Sequence, residues 1–132
     1  MLFIFDWDGT LLDSADRIVA VMQQAALDCG QQRLTEAEIK NIIGLGLPEA
    51  LQALYPQLPD VERAQLQAAY SRRFVESEAA PCEFFPGVRD TLDTLRAQGT
   101  RLAVATGKSR RGLTRVLAGL GVKQIILTNA AG

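Results

Sequence analysis

Two aspartates close to the N-terminus are the residues of this sequence best placed to do chemistry. The segment Asp6–Thr10, with the letters DWDGT, directly follows the short apolar run Leu2–Phe5. That run is rich in strand-forming residues and predicts a buried parallel strand that ends in a loop. One carboxylate at such a strand end can attack an electrophile while the other transfers protons. We therefore interpret Asp6 and Asp8 as a catalytic pair rather than as loop-forming residues.

A second polar group follows another apolar run, Leu102–Ala105. The Thr106 hydroxyl can hydrogen-bond a phosphoryl oxygen, Gly107 lets backbone come close, and the N–H groups of the next helix would point at an anion. Reactive groups in open α/β sheets gather beyond the carboxyl ends of the strands. Thr106, Gly107 and Lys108 are therefore candidate substrate-binding residues, although Thr106 as a plain strand end and Lys108 as a solvated helix-start residue remain open interpretations.

The elements between these two groups read as helical throughout. Residues 15–80 carry apolar residues at helical spacing and show no strand pattern. The predicted signals are a Ser14 cap with a stop at Gly30, a Thr35–Glu38 capping box opening a helix through Ile43, a break at Gly44-Leu45-Gly46, Pro48 in the first turn of a helix to Leu54 or Tyr55, and a helix from Asp60 to about Glu78. The last of these helices is expected to present Val61, Ala64, Ala68 and Val75 on one side.

The pattern changes after residue 80. It predicts a turn at Phe85-Pro86-Gly87, a helix over Val88–Ala97, a strand over Leu102–Ala105, a helix over Ser109–Ala118 stopped by Gly119 and Gly121, and a third strand over Gln124–Thr128. Strands that alternate with helices predict an α/β fold with a parallel sheet and right-handed crossovers. The first crossover is too long for one helix, so a helical module must be inserted there.

Composition excludes several classes of protein. The 132 residues suit one domain-sized core, and 14 basic against 15 acidic residues give a net charge of −1. The chain has no histidine, which rules out a Ser-His-Asp triad and every zinc site that needs imidazole. We expect no nucleic acid and no membrane partner, two reduced thiols at Cys29 and Cys82, and a cytoplasmic location.

The residues Phe5–Ser14 resemble the first motif, DxDGT, of the haloacid-dehalogenase-like (HAD) hydrolase superfamily, in its phosphoglycolate-phosphatase-type branch. Leu102–Lys108 is similar to the second motif, and Phe85–Val88 to the return from the cap into the core. The resemblance covers essentially the whole chain. It implies a parallel Rossmann-like core formed by residues 1–14 and 81–132, with an inserted α-helical cap at residues 15–80.

The resemblance also implies the roles of the site residues. Asp6 would attack a phosphate monoester of a small metabolite, and Asp8 would protonate the leaving alcohol and then deprotonate water. Mg²⁺ would be held by the Asp6 carboxylate and the Asp8 backbone carbonyl, and Thr106 would bind the phosphoryl group.

The chain departs from the family pattern after Thr106. The family has a later Lys and a later Gly-Asp motif that completes the Mg²⁺ shell, whereas no Asp or Glu follows Asp93 here. We therefore expect an incomplete core, strongly reduced turnover for this form, and self-association through an open edge of the first strand.

Two other functions remain as alternatives. A decayed or partial domain could bind a partner without catalysis. Gly107-Lys108-Ser109 between a strand and a helix is similar to the end of a nucleotide-binding P-loop. That motif needs a glycine where this sequence has Leu102, which ranks the nucleotide-binding alternative low.

Overall fold

The structure is a computed structural model, and it describes residues 1–122 and, for the last strand, residues 125–129. The elements in chain order are β1 Leu2–Phe5, α1 Ala15–Asp28, α2 Glu36–Lys40, α3 Leu47–Leu54, α4 Asp60–Ser77, α5 Val88–Ala97, β2 Arg101–Thr106, α6 Arg110–Leu120 and β3 Ile125–Asn129. This order confirms the predicted α/β fold with helices inserted after the first strand. The predicted first residue of β3, Gln124, lies outside the described residues.

The three strands form one parallel sheet in the order β1-β2-β3. Phe5 pairs with Val104 and Thr106 pairs with Asn129 in the strand register. Because the strands are parallel, their carboxyl ends meet at one edge. The residues that follow β1 and β2 are therefore brought together, as the sequence predicts.

The buried apolar side chains form two separate clusters. One cluster lies among α1 to α4 and contains Ile18, Val19, Val21, Met22, Leu34, Ile39, Leu51, Tyr55, Leu66 and Phe74. The other lies against the sheet and contains Trp7, Leu11, Leu12, Val104, Leu113, Leu117 and Val122. The division into residues 1–14 with 81–132 and residues 15–80 stays a proposal, which these two clusters support.

The apolar face predicted for α4 is wrong. Val61 and Val75 are 70% and 48% exposed, whereas Leu66, Ala69 and Phe74 are buried. Packing against α1 selects this second face, which is spaced equally well for a helix. The sequence alone does not say which of two apolar stripes meets the neighbouring helix.

Two helix ends also differ from the prediction. Helix α2 ends at Lys40 rather than Ile43; residues 41–42 form a turn, and Ile43 forms an isolated bridge with Leu45. Gly119 lies inside α6, and Gly121 alone ends that helix, with a left-handed φ of 70°. A left-handed residue after the last turn is the usual glycine-dependent helix end, which Gly119 does not provide.

Cys29 and Cys82 are both unbonded, which confirms the prediction that they form no bridge. Within residues 1–122 and 125–129, no helix has the length and apolar character needed to cross a bilayer.

Candidate active site

Asp6 lies immediately beyond the carboxyl end of β1, and its side chain is exposed. The backbone N–H of Trp7 donates to its Oδ1 at 2.8 Å, and the Thr10 hydroxyl donates to its Oδ2 at 3.2 Å. These two bonds fix the orientation of the carboxylate while one side stays open. No ion pair of the described residues involves Asp6. The carboxylate is therefore both oriented and exposed, which is compatible with the predicted nucleophile.

A tight turn after Asp6 returns the chain beneath the site. The Trp7 carbonyl accepts from the N–H groups of Thr10, Leu11 and Leu12 at 3.1, 3.0 and 3.2 Å. Gly9 has a φ of 77°, a conformation that glycine adopts without strain. The Trp7 side chain is fully buried and packs edge-on against Phe84, so Trp7 anchors the turn in the core. The sequence DWDGT therefore forms a tight turn that depends on Gly9 and is held in the core by Trp7.

Asp8 is held by a residue whose role sequence analysis did not identify. The fully buried Ser14 donates its hydroxyl to Asp8 Oδ1 at 2.8 Å. Ser14 does occupy the N-cap position of α1, as expected, but its side chain makes no capping bond there. The sequence feature that could have indicated this hydrogen bond is Ser14 at the end of the first motif. The bond forms because of the turn after Asp6, and the residue pattern alone does not predict that turn.

Thr106 ends β2 on the strand next to β1, and it is 8% exposed. Its hydroxyl oxygen accepts from the Lys108 backbone N–H at 3.2 Å. Among the described residues no acceptor is seen for the hydroxyl proton, which could therefore be donated to an anion at the strand end. Asp6 and Thr106 thus follow neighbouring strands at the same edge of the sheet.

Gly107 and Lys108 contact the helical residues 15–80, called the helical module below. The backbone of Gly44, Leu45 and Gly46 packs directly on Gly107, at a spacing that leaves no room for a side chain. The Lys108 ammonium lies 4.3 Å from the centroid of the Phe74 ring of α4. The sequence predicts either a substrate-binding residue or a solvated helix-start residue at Lys108. Both interpretations remain predictions; in this structure Lys108 is half-buried, and its ammonium lies over the Phe74 ring.

Tyr70 is a further residue near the site that sequence analysis did not single out. Burial raises the pKa of its hydroxyl well above the usual tyrosine value, and the charges of Asp8 and Cys82 add to this rise. Its ring stacks on Phe74 at a centroid distance of 5.7 Å. The α4 helix therefore carries a neutral phenol into the neighbourhood of Asp8.

A cavity of ≈ 250 Å³ lies beside this region, between the end of α4 and α6. Its wall is mostly apolar and includes Phe74, Cys82, Lys108 and Arg115. Burial raises the pKa of the Cys82 thiol, and the positive charge of Arg17 opposes that rise. The Cys82 thiol is therefore a weak nucleophile at neutral pH.

Comparison with known proteins identifies the family of this chain. Residues 3–129 match the haloacid dehalogenase-like hydrolase family. The chain belongs to the haloacid dehalogenase-like hydrolase family. This membership confirms the resemblance that the sequence motifs indicate.

Named relatives and solved structures agree with the family. A phosphoglycolate phosphatase of Cereibacter sphaeroides is 32% identical over 126 residues, which is 92% of this chain and 58% of the relative. The plasmid phosphoglycolate phosphatase of Cupriavidus necator is 33% identical over 132 residues, which is 98% of this chain and 57% of the relative. A hydrolase from Pseudomonas syringae has the same fold, with a TM-score of 0.86 at 24% identity, covering 98% of this chain and 60% of that one. A predicted phosphoglycolate phosphatase from Haemophilus somnus gives a TM-score of 0.83 at 23% identity, covering 96% and 61%. The chain thus spans about 58% of the length of the curated relatives it matches.

The family implies a divalent cation, and the residues at the end of β1 offer part of its shell. Mg²⁺ prefers oxygen ligands, and the exposed Asp6 carboxylate together with the Asp8 backbone carbonyl supplies this type of donor. Across the described part of the chain, no group of three or more acidic, cysteine or histidine side chains could hold a metal. The donors fit Mg²⁺ in kind and supply only part of its coordination.

Proposed function

We propose that this chain carries the nucleophile-bearing part of a Mg²⁺-dependent phosphate-monoester hydrolase that acts on a small phosphorylated metabolite. The observation that carries the proposal is the Asp6 carboxylate, exposed at the tip of β1 and oriented by two hydrogen bonds, in a member of this hydrolase family. Thr106 on the neighbouring strand supports the proposal because it offers a hydroxyl donor at the same edge.

The proposed reaction has two steps. An Asp6 carboxylate oxygen attacks phosphorus while the bond from phosphorus to the ester oxygen breaks, and protonated Asp8 gives its proton to the leaving oxygen. A water molecule then attacks phosphorus of the aspartyl-phosphate while Asp8 takes the proton from water. Inorganic phosphate leaves and the Asp6 carboxylate is regenerated.

The structure supports different roles for the two carboxylates. Among the described residues Asp6 accepts from Trp7 and Thr10 near its own strand end, whereas Asp8 accepts from Ser14. Thr106 would donate to a phosphoryl oxygen and so orient the group for in-line attack. Mg²⁺, bound by the Asp6 carboxylate and the Asp8 carbonyl, would neutralise charge on the phosphoryl oxygens.

The substrate proposal follows from the relatives. The curated relatives reported above are named phosphoglycolate phosphatases, so 2-phosphoglycolate is the first substrate to test. The helical module, which lies against the end of β2 through Gly107, is in position to cover a small substrate.

Beryllium fluoride, which mimics a phosphoryl group on a carboxylate, tests the proposal without requiring turnover. We expect the chain with Mg²⁺ and beryllium fluoride to give a bound ¹⁹F signal that Asp6→Asn abolishes. Asp16→Asn, which changes an exposed aspartate on α1, is the matched control and should retain the signal. Equal signals, or none, in the unmodified chain and Asp6→Asn would favour the alternative of a non-catalytic interaction domain.

A further inference from the structure

The contact between Gly107 and the loop before α3 is too close for any side chain. A Cβ atom at Gly107 would lie 2.4 Å from the Gly46 nitrogen, 2.6 Å from the Leu45 carbonyl carbon and 2.8 Å from the Gly44 oxygen. All three are backbone atoms, so none can rotate away as a side chain would. The observed position of the loop therefore requires glycine at residue 107.

The two glycines of this contact, Gly107 and Gly46, differ in how much room a side chain would have. A Cβ atom at Gly46 would meet the Glu49 carboxylate at 2.4 Å, which is the mobile end of a side chain, and the Gly107 oxygen only at 3.4 Å. Gly46 has an extended backbone with a φ of −62°, which any residue adopts. Across this contact the requirement for room thus falls on Gly107 and not on Gly46, whereas Gly44 needs glycine for a different reason, its φ of 111°.

A second contact holds α4 to Lys108, the residue that follows Gly107. Lys108 places its ammonium 4.3 Å from the Phe74 ring centroid, a distance at which a cation is attracted to the ring face. Arg115 of α6 adds a two-pronged pair with Glu78 just beyond α4, with N···O distances of 2.5 and 3.0 Å. The helical module is therefore tied to the region of β2 and α6 through a loop and through a helix end.

We propose that Gly107 is a positioning residue whose missing side chain seats the loop Gly44–Gly46 over the end of β2, with Lys108 holding Phe74 beside it. This close contact between Gly107 and the loop Gly44–Gly46, called the seat below, sets how closely the helical module approaches Thr106. A closely seated cap excludes water from the phosphoryl group and confines the substrate. The seat itself does not depend on the proposed function, whereas its effect on hydrolysis does.

Hydrogen exchange of the loop amides tests the seat directly. Gly107→Ala should force the loop away from β2, so the peptide that covers residues 44–47 should exchange at least about tenfold faster. Gly119→Ala is the matched control because Gly119 lies inside α6, and an added Cβ there meets no atom within 4 Å apart from its own helix backbone and chain neighbours. Gly46→Ala should also leave the exchange unchanged, since the Glu49 side chain can move.

The outcomes decide the proposal. A folded Gly107→Ala chain, with unchanged far-ultraviolet circular dichroism and unchanged exchange at residues 44–47, overturns it. If Gly107→Ala does not fold, Lys108→Met decides instead, because it keeps the side-chain stem and removes the cation over Phe74. We expect about threefold faster exchange at residues 44–47 in Lys108→Met, and unchanged exchange refutes the seat.

A kinetic comparison separates the seat from the proposed function. In Gly107→Ala, the ratio of kcat/KM for 2-phosphoglycolate to that for p-nitrophenyl phosphate should fall by about tenfold, because an open cap loses its contacts with the metabolite. Faster loop exchange without hydrolysis by either chain would support the seat and contradict the proposed function. An unchanged ratio together with faster exchange would show that the seat does not position the substrate.

Discussion

The Ser14 hydroxyl is the single interaction that most clearly distinguishes the environment of Asp8 from that of Asp6. It donates to Asp8 Oδ1 at 2.8 Å from a fully buried position, so it cannot be replaced by solvent without rearrangement. Asp6 is instead oriented by Trp7 and Thr10 next to it in the chain. Two carboxylates held by different donors can take different roles in one reaction.

Ser14→Ala should lower kcat by about tenfold while KM stays within about twofold, because it removes one hydrogen bond to the carboxylate that transfers protons, and does not bind the substrate, in the proposed reaction. Ser14→Thr keeps the hydroxyl and should recover most of the rate. Steady-state kinetics on the three chains check this prediction. A loss in Ser14→Thr equal to that in Ser14→Ala would show that packing, and not the hydroxyl, is responsible.

Sequence reasoning located the catalytic candidates but not their partners. Asp6, Asp8 and Thr106 stand out because each follows an apolar run, and parallel pairing of β1 and β2 brings the strand ends together. The Ser14 hydroxyl could equally have capped α1, since both uses suit a serine before a helix. The choice depends on the turn at Gly9, which positions Asp8 across from Ser14.

In helix α4, packing decides which of two possible apolar faces is buried. Its sequence has two apolar stripes, one through Val61 and Val75 and one through Leu66 and Phe74, and both are spaced for a helix. Contact with α1 buries the second stripe, and Leu66 is fully buried. A long-range contact of this kind is not encoded in the local spacing.

Leu66→Ala should therefore lower the free energy of unfolding by about 2–5 kcal/mol, because it opens a cavity in a fully enclosed site. Val61→Ala is the matched control and should change it by less than about 0.5 kcal/mol, since Val61 is 70% exposed. Urea unfolding of both variants measures the difference. Similar losses for the two would mean that α4 packs through the other stripe.

An ion pair between α1 and α4 predicts a pH dependence of stability. Arg73 donates to both Asp28 carboxylate oxygens, and this hydrogen bonding lowers the Asp28 pKa below its usual value. A group whose pKa is lowered by folding stabilises the folded state above its unfolded pKa. That contribution disappears as pH falls through the folded pKa.

Asp28→Asn should thus lower the melting temperature at pH 7, and the difference from the unmodified chain should shrink as pH falls below about 4. Melting curves over a pH series from 7 to 3 check this. Because the pair is exposed, the effect should be small and weaker in high salt. A difference that stays constant with pH would assign the loss to helix packing and not to charge.

At the scale of the whole molecule, the donor set limits the proposed chemistry. In the proposed reaction the Asp6 carboxylate and the Asp8 carbonyl would bind Mg²⁺, and the described residues supply no cluster of three ligating side chains. The chain spans about 58% of the length of a curated relative. Where the Asp6 carboxylate and the Asp8 carbonyl alone hold the cation, phosphoryl charge is less well stabilised and we expect slow turnover.

We expect this 132-residue chain to hydrolyse 2-phosphoglycolate with millimolar Mg²⁺ more than about hundredfold slower than the Cupriavidus necator relative assayed beside it. Release of inorganic phosphate measures both rates. Asp6→Asn gives the background that must be subtracted. Comparable rates in the two proteins would show that Asp6, Asp8 and Thr106 suffice.

The outer edge of β1 gives the last prediction. Within the described residues β1 pairs with β2 alone. Leu2, Phe3 and Ile4 are 45%, 39% and 63% exposed, so the prediction that this strand is buried is wrong. An apolar strand with unpaired backbone groups is a template for another strand, whereas a lysine on such an edge opposes pairing. We therefore expect the molar mass measured by light scattering to rise with protein concentration, and Ile4→Lys to suppress that rise. Leu27→Lys, at a residue of α1 that is 72% exposed, should leave the rise unchanged because it adds the same charge away from the sheet. An unmodified chain that stays monomeric at the highest concentration reached would mean that the exposed edge of β1 does not pair.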